Sequence, residues 1–122
     1  MLRILLVEDE FLVRQVAFDE LGDAGHCVVE AVNGDAAAAI LERDTAFDLI
    51  CTDIRMPGML DGWQLGAAAR SLIPGIKVLY LSGYCETRRS LEPGEAFLPK
   101  PYRLSELLAS VDSLTSMPSD AR

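Results

Sequence analysis

No stretch of this 122-residue chain comes near the ~20 consecutive apolar residues that a helix needs to cross a bilayer. The opening Met1-Leu2-Arg3 also lacks the basic region, long apolar core and small-residue cleavage site of a secretory signal, so a cytoplasmic chain is expected. Cysteine is scarce. Cys27, Cys51 and Cys85 are odd in number and far apart, and match neither zinc nor thioredoxin spacing. Cys27 and Cys51 lie in apolar runs and read as small core residues in a reducing compartment. Basic residues are outnumbered by acidic ones, 11 to 19, for a formal net charge of −8. A surface of that sign repels a phosphate backbone, which disfavours general nucleic-acid binding and is compatible with metal cations or a basic partner surface. Internal repeats, low-complexity tracts and interior linkers are missing as well. One domain over 1–115 is expected, followed by a polar tail, 116–122, and the initial Met and polar end fit a whole protein.

What the chain does have is five short apolar runs: "RILLV" (3–7), "CVVEAV" (27–32), "DLICT" (48–52), "KVLYL" (77–81) and "AFL" (96–98). The first, third and fourth are almost continuously apolar, as parallel strands covered on both faces must be. Helical spacing lies between them. In 10–24 it involves Phe11, Val13, Val16, Ala17, Leu21 and Ala24, with Gly25 placed to end the helix. Further helices are predicted over 34–43, 63–72 and 104–115, the last with Leu104, Leu107, Leu108, Val111 and Leu114 on one face. Pro93-Gly94 leaves room for only one or two helical turns near Cys85–Leu91. The alternation predicts a flavodoxin-like (βα)5 sandwich, a parallel sheet in order 2-1-3-4-5, with ligands at the carboxyl ends of strands 1 and 3.

Those strand ends carry charge. The first run ends in Glu8-Asp9-Glu10 and the third in Asp53. Neighbouring strands lie about 4.8 Å apart, so Glu8, Asp9 and Asp53 would converge. Two unit charges about 5 Å apart repel by roughly 3 kcal/mol at an effective dielectric near 20, so such a cluster needs protons or a cation. Hard oxygens with room for water suit Mg²⁺. A metal would also turn Asp53 into a usable nucleophile by screening an incoming phosphoryl group. The fourth run ends in Ser82-Gly83, and the fifth runs into Lys100, a point charge for phosphate. Together these residue types describe a phosphoryl-accepting site.

"LLVEDE", "TDIRMPG", "LSGY" and "LPKPY", in this order and at these spacings, resemble the receiver domain of two-component response regulators over nearly the whole chain. The resemblance implies that Asp53 takes a phosphoryl group from a histidine kinase or phosphotransfer protein. It implies that Asp9 and Asp53 contact Mg²⁺ (or Mn²⁺), that Glu8 acts largely through water, and that the Arg55 backbone carbonyl is a further ligand. Ser82 and Lys100 would bind the phosphoryl oxygens, Lys100-Pro101 would be cis, and Ser82 with Phe97 would form a conformational switch. Such a chain is a phosphoacceptor rather than a dedicated enzyme.

Departures from the family pattern carry their own expectations. "MPGMLDGW" holds one residue more than the usual loop, assigned to Leu60, which changes loop shape rather than chemistry. The curtailed fourth helix resembles stand-alone receivers and those of hybrid kinases, and implies a monomer or weak dimer. With no effector domain after the last helix, direct transcriptional control is not expected. Arg55 and Tyr84 stand where fast-dephosphorylating receivers carry groups that orient water, so a phospho-Asp53 lasting minutes or more is expected. His26, ahead of the second strand, reads as structural. The alternative function is an interaction module that keeps the fold without phosphorylation. A flavodoxin would need a hydroxyl- and Gly-rich phosphate loop where Glu8-Asp9-Glu10 stands, and an aspartyl phosphatase an Asp-x-Asp after the first strand.

Overall fold

The computed structural model describes residues 1–83 and 91–116. Strands β1 (Arg3–Val7), β2 (Cys27–Ala31), β3 (Leu49–Asp53), β4 (Lys77–Ser82) and β5 (Glu95–Pro99) form one sheet in the order β2-β1-β3-β4-β5. Every pairing is parallel. The helices are α1 (Phe11–Asp23), α2 (Gly34–Arg43), α3 (Gly62–Leu72) and α4 (Leu104–Thr115). The predicted flavodoxin-like order is therefore the observed one. The short helix expected near Cys85–Leu91 lies outside the described residues except for Leu91, which is exposed.

Local chemistry sets the helix ends. Asn33 caps α2 by accepting from the Ala36 amide at 2.8 Å. Asp61 and Gln64 exchange hydrogen bonds across the first turn of α3, at 2.8 and 3.0 Å. At the far end of α1 the chain turns at Gly25, whose φ of +98° favours a residue without a Cβ.

The central strands are buried on both faces, which is why they read as unbroken apolar runs. On one face Ile4, Leu6, Cys51, Leu79 and Leu81 pack with Ala17 and Leu21 of α1 and Leu107, Val111 and Leu114 of α4. On the other, Leu5, Val7 and Ile50 pack with Ala37 and Leu41 of α2 and Leu65 and Ala69 of α3. Two apolar assignments fail at the margins. Cys27 is exposed, because β2 is an edge strand, whereas Cys51 is fully buried; Cys85 lies outside the described residues. Phe11 and Val16 share the helical spacing of α1 yet are 61% and 51% exposed. His26 has the structural role expected of it: its Nδ1 accepts from the Leu2 amide at 3.1 Å.

The longer loop between β3 and α3 is tied to α2. The Asp35 carboxylate accepts from the Met59 and Leu60 amides at 3.0 and 3.1 Å. The Gly62 amide then donates to the Ile54 carbonyl at 2.8 Å, closing the loop directly behind Asp53. A Cβ on Gly62 would clash with the Asp53 carbonyl oxygen and lie 2.7 Å from Ile54 Cα, both backbone atoms. Gly62→Ala is therefore expected to destabilise the fold by ~2 kcal/mol or more. Gly22→Ala, with nothing within 4 Å of the added atom, should stabilise α1 by about 0.5–1 kcal/mol. Paired denaturant titrations check both signs.

Candidate functional site

Four strand ends meet at the carboxyl edge of the sheet. Glu8 follows β1 directly, Asp53 is the last residue of β3, Ser82 ends β4, and Lys100 follows β5. β1 and β3 are hydrogen-bonded neighbours with Val7 opposite Thr52, which puts the Glu8-Asp9 turn beside Asp53. One carboxylate oxygen each from Glu8, Asp9 and Asp53 lies within 4.8 Å of the others. Glu8 is 1% exposed, Asp53 8%, and Asp9 faces solvent. A cleft of about 380 Å³ opens over them, lined by Asp9, Glu10, Asp53, Arg55, Gly83 and Lys100.

Lys100 organises the two buried acids. Its ammonium donates to Glu8 Oε1 at 2.7 Å and to Asp53 Oδ2 at 3.2 Å. The second oxygen of each acid accepts from the main chain: Glu8 Oε2 from the Glu10 amide at 3.1 Å, Asp53 Oδ1 from the Ile54 amide at 2.9 Å. Burial nevertheless outweighs these bonds and holds both carboxyls above the usual carboxylate range. Burial also acts to lower the Lys100 ammonium, but the hydrogen bonds and charges of Glu8 and then Asp53 prevail and raise it. Nearby, burial pushes the Tyr102 phenol up to about 12.

The donor set fits a small hard cation. Three carboxylates less one ammonium leave two negative charges, the charge of one divalent ion, while Glu10 and Arg55 on the rim offset each other. Oxygen-only ligands beside an open, wet cleft are what Mg²⁺ accepts and what softer metals do not prefer. This acidic cluster is able to hold a metal.

The remaining predicted residues are distributed around it. Ser82 is buried at the end of β4, and its carbonyl accepts from the Lys100 amide. The Lys100-Pro101 peptide is cis. Phe97 is half-buried against Ile54, Val78 and Tyr80, on the face where the Trp63 and Tyr80 rings pack at a tilt with centroids 4.4 Å apart. Tyr84 lies outside the described residues.

One contact escaped the sequence reading. Arg14, in the first turns of α1, reaches back to the Glu8 carbonyl at 2.8 Å. Its only signal in the sequence is a basic residue six places past Glu8 on the helix that the acids introduce.

The comparisons with known proteins agree with this geometry. Residues 4–112 match the response regulator receiver domain family. The chain belongs to that family. The receiver is 32% identical over 118 residues to the response regulator receiver protein CpdR of Brucella abortus, covering 93% of this chain and 97% of CpdR. It is 38% identical over 117 residues to the sensor kinase CckA of the same organism, covering 91% of this chain but only 12% of that kinase. Among solved structures, a response regulator receiver protein from Sinorhizobium medicae superposes with a TM-score of 0.84 at 30% identity, covering 94% of each chain. Of several relatives, then, the receiver spans only a fraction of the length. Among the described residues no helix is long and apolar enough to cross a membrane.

The raised carboxyl at Asp53 has a thermodynamic consequence. A carboxyl whose folded pKa lies above its unfolded value contributes stability in its protonated form. That contribution is present in acid and lost as the pH rises through the folded pKa. Asp53→Asn mimics the protonated form, so at pH 7 without divalent ions it should have the higher thermal midpoint. The difference should shrink as the pH falls through the carboxyl range. A wild type more stable than the variant at pH 7 would contradict the assignment.

Proposed function

We propose that this receiver takes a phosphoryl group on Asp53 from a histidine kinase or histidine phosphotransfer protein and signals or relays by protein contact. The observation that carries the reading is the Lys100 ammonium shared between Glu8 and Asp53 at the floor of an open cleft. It holds a buried carboxylate reachable from solvent, next to a cation that can follow the incoming charge.

Asp9, Asp53 and the Arg55 backbone carbonyl would hold Mg²⁺ (or Mn²⁺), with Glu8 acting largely through water. When bound, the ion supplies charge screening between the acids and the phosphoryl oxygens. The chain's own groups do the rest. Asp53 Oδ attacks phosphorus, the P–N bond to the donor imidazole breaks, and the departing imidazole nitrogen regains a proton from solvent. Lys100 exchanges its carboxylate partners for a phosphoryl oxygen, and Ser82, at the end of the adjacent strand, donates to another. In the switching step Ser82 moves toward the phosphoryl group and Phe97 turns into the space it leaves. Arg55 lines the cleft without a carboxamide to orient water, which supports a phosphoryl lifetime of minutes or more.

The donor's docking surface is supported by α1. Phe11, Leu12 and Val16 are 61%, 74% and 51% exposed. Leu12, Val13, Val16, Pro101 and Leu104 line an apolar groove of about 540 Å³ that ends at Lys100 and Gly83. An apolar helix face beside a charged cleft suits a helical partner that presents an imidazole to Asp53. A cytoplasmic location follows from that partner.

The test is phosphotransfer with Mg²⁺ present and absent. Label is expected on wild type with Mg²⁺, and on neither Asp53→Asn nor metal-free wild type. No label on wild type with Mg²⁺ present would leave the phosphorylation-independent interaction module as the surviving reading. Label retained by the variant would overturn Asp53 as the acceptor, and label without Mg²⁺ would overturn the metal dependence. Leu12→Ala with Val16→Ala should slow transfer from a cognate kinase by about tenfold, and slow labelling by acetyl phosphate much less, as loss of an apolar anchor does. The label should decay over minutes, and Arg55→Asn should shorten its half-life. Decay of the wild type within seconds would defeat the lifetime assignment.

A further inference from the structure

We propose that Arg14 is a positioning residue for the cation site: it holds the β1–α1 turn so that Glu8 and Asp9 face the ion, with Glu30 as its counter-charge. This inference rests on the reading of Glu8, Asp9 and Asp53 as a divalent-cation site.

The geometry is a two-point clamp. Arg14 Nη1 donates to the Glu8 carbonyl at 2.8 Å, and Arg14 Nε donates to Glu30 Oε1 on β2 at 3.1 Å. The same Glu8 residue donates its amide to the Ala31 carbonyl, also on β2, at 3.2 Å. Glu8 is thus held at its N–H by strand β2 and at its C=O by a guanidinium that is itself fastened to β2. The carbonyl carbon of Glu8 is bonded to the Asp9 nitrogen, and the peptide between them is planar. Orienting that one carbonyl therefore orients the plane from which the Asp9 side chain departs.

The turn needs such a tie. The residue that caps α1, Glu10, makes no side-chain capping bond, unlike Asn33 and Asp61 at the next two helices. Arg14 is also well placed to be rigid. Its side chain is only 12% exposed, and its guanidinium sits 5.6 Å from the centre of the Phe11 ring. A guanidinium spans two diverging acceptors at fixed angles, whereas an ammonium on a flexible stem is a single point charge.

Electrostatics alone argues in the opposite direction, and that makes the inference decidable. A cation beside the acidic cluster repels Mg²⁺, so deleting its charge should tighten Mg²⁺ binding. Deleting a clamp should weaken it. Mg²⁺ affinity is to be measured by titration calorimetry on wild type, Arg14→Ala and Arg14→Lys, with circular dichroism and thermal midpoints alongside. Arg14→Ala is expected to bind Mg²⁺ about tenfold more weakly, the low end of what is lost with a residue that orients a metal ligand. Arg14→Lys should also be weakened, since it keeps the charge but has a single nitrogen where Arg14 places Nε against Glu30 and Nη1 against the Glu8 carbonyl. If Arg14→Ala does not fold, Arg14→Lys decides alone. Equal or tighter binding by a folded Arg14→Ala, or wild-type affinity in Arg14→Lys, overturns the role of Arg14. A wild type that takes up no Mg²⁺ overturns the cation reading itself, and this inference with it.

Discussion

One ammonium between two buried carboxylates is the contact on which the site depends. Lys100 reaches Glu8 and Asp53 from 92 and 47 residues away along the chain. Taking a carboxylate out of water costs several kcal/mol unless an opposite charge compensates, and here a single cation serves two acids with a third close by. The compensation is incomplete: burial outweighs the Lys100 contacts and holds both carboxyls above their ordinary values. A site left short of positive charge in this way is poised to gain it from solution. The same shortage that weakens the isolated fold leaves the three acids able to hold a metal.

A parallel sheet that reverses its order brings these groups together. The chain lays β2 on one side of β1 and then crosses back to lay β3 on the other. At that reversal the loops leaving β1 and β3 depart to opposite faces and leave a crevice between them. Helices α1 and α4 cover one face, α2 and α3 the other, so the strand tips are rigid while their loops stay open to water. The longer β3–α3 loop does not disturb this. Its extra length is taken up against α2, where Asp35 accepts two successive amides, and Gly62 returns the chain to the back of Asp53.

Much of this was legible in the residues. The ends of β1, α2 and α4 coincide with those read from apolar periodicity, because each element's pattern is complete within its own length. Glu8, Asp9, Asp53, Ser82 and Lys100 could be named because strands of this type end where polarity begins, and functional groups sit at those ends. Cys27 was misjudged because an apolar run does not announce which strand becomes an edge. Phe11 and Val16 were counted toward the core because helical spacing does not say how wide a stripe the neighbouring sheet will cover. The contact of Arg14 was not legible beyond its place six residues past Glu8. A guanidinium that reaches a main-chain carbonyl leaves no pattern, since the acceptor is present in every residue.

The amino-acid sequence determined the kind and order of the elements, the strand-end position of each acid and the negative balance of the site. These are set by periodicities and charges that act over a few residues. Tertiary structure decided which oxygens the Lys100 ammonium meets, which apolar side chains remain outside, and which cation ties down the β1–α1 turn. Those outcomes depend on register and helix placement between residues tens of positions apart, and distances between such residues are defined only once the sheet has formed.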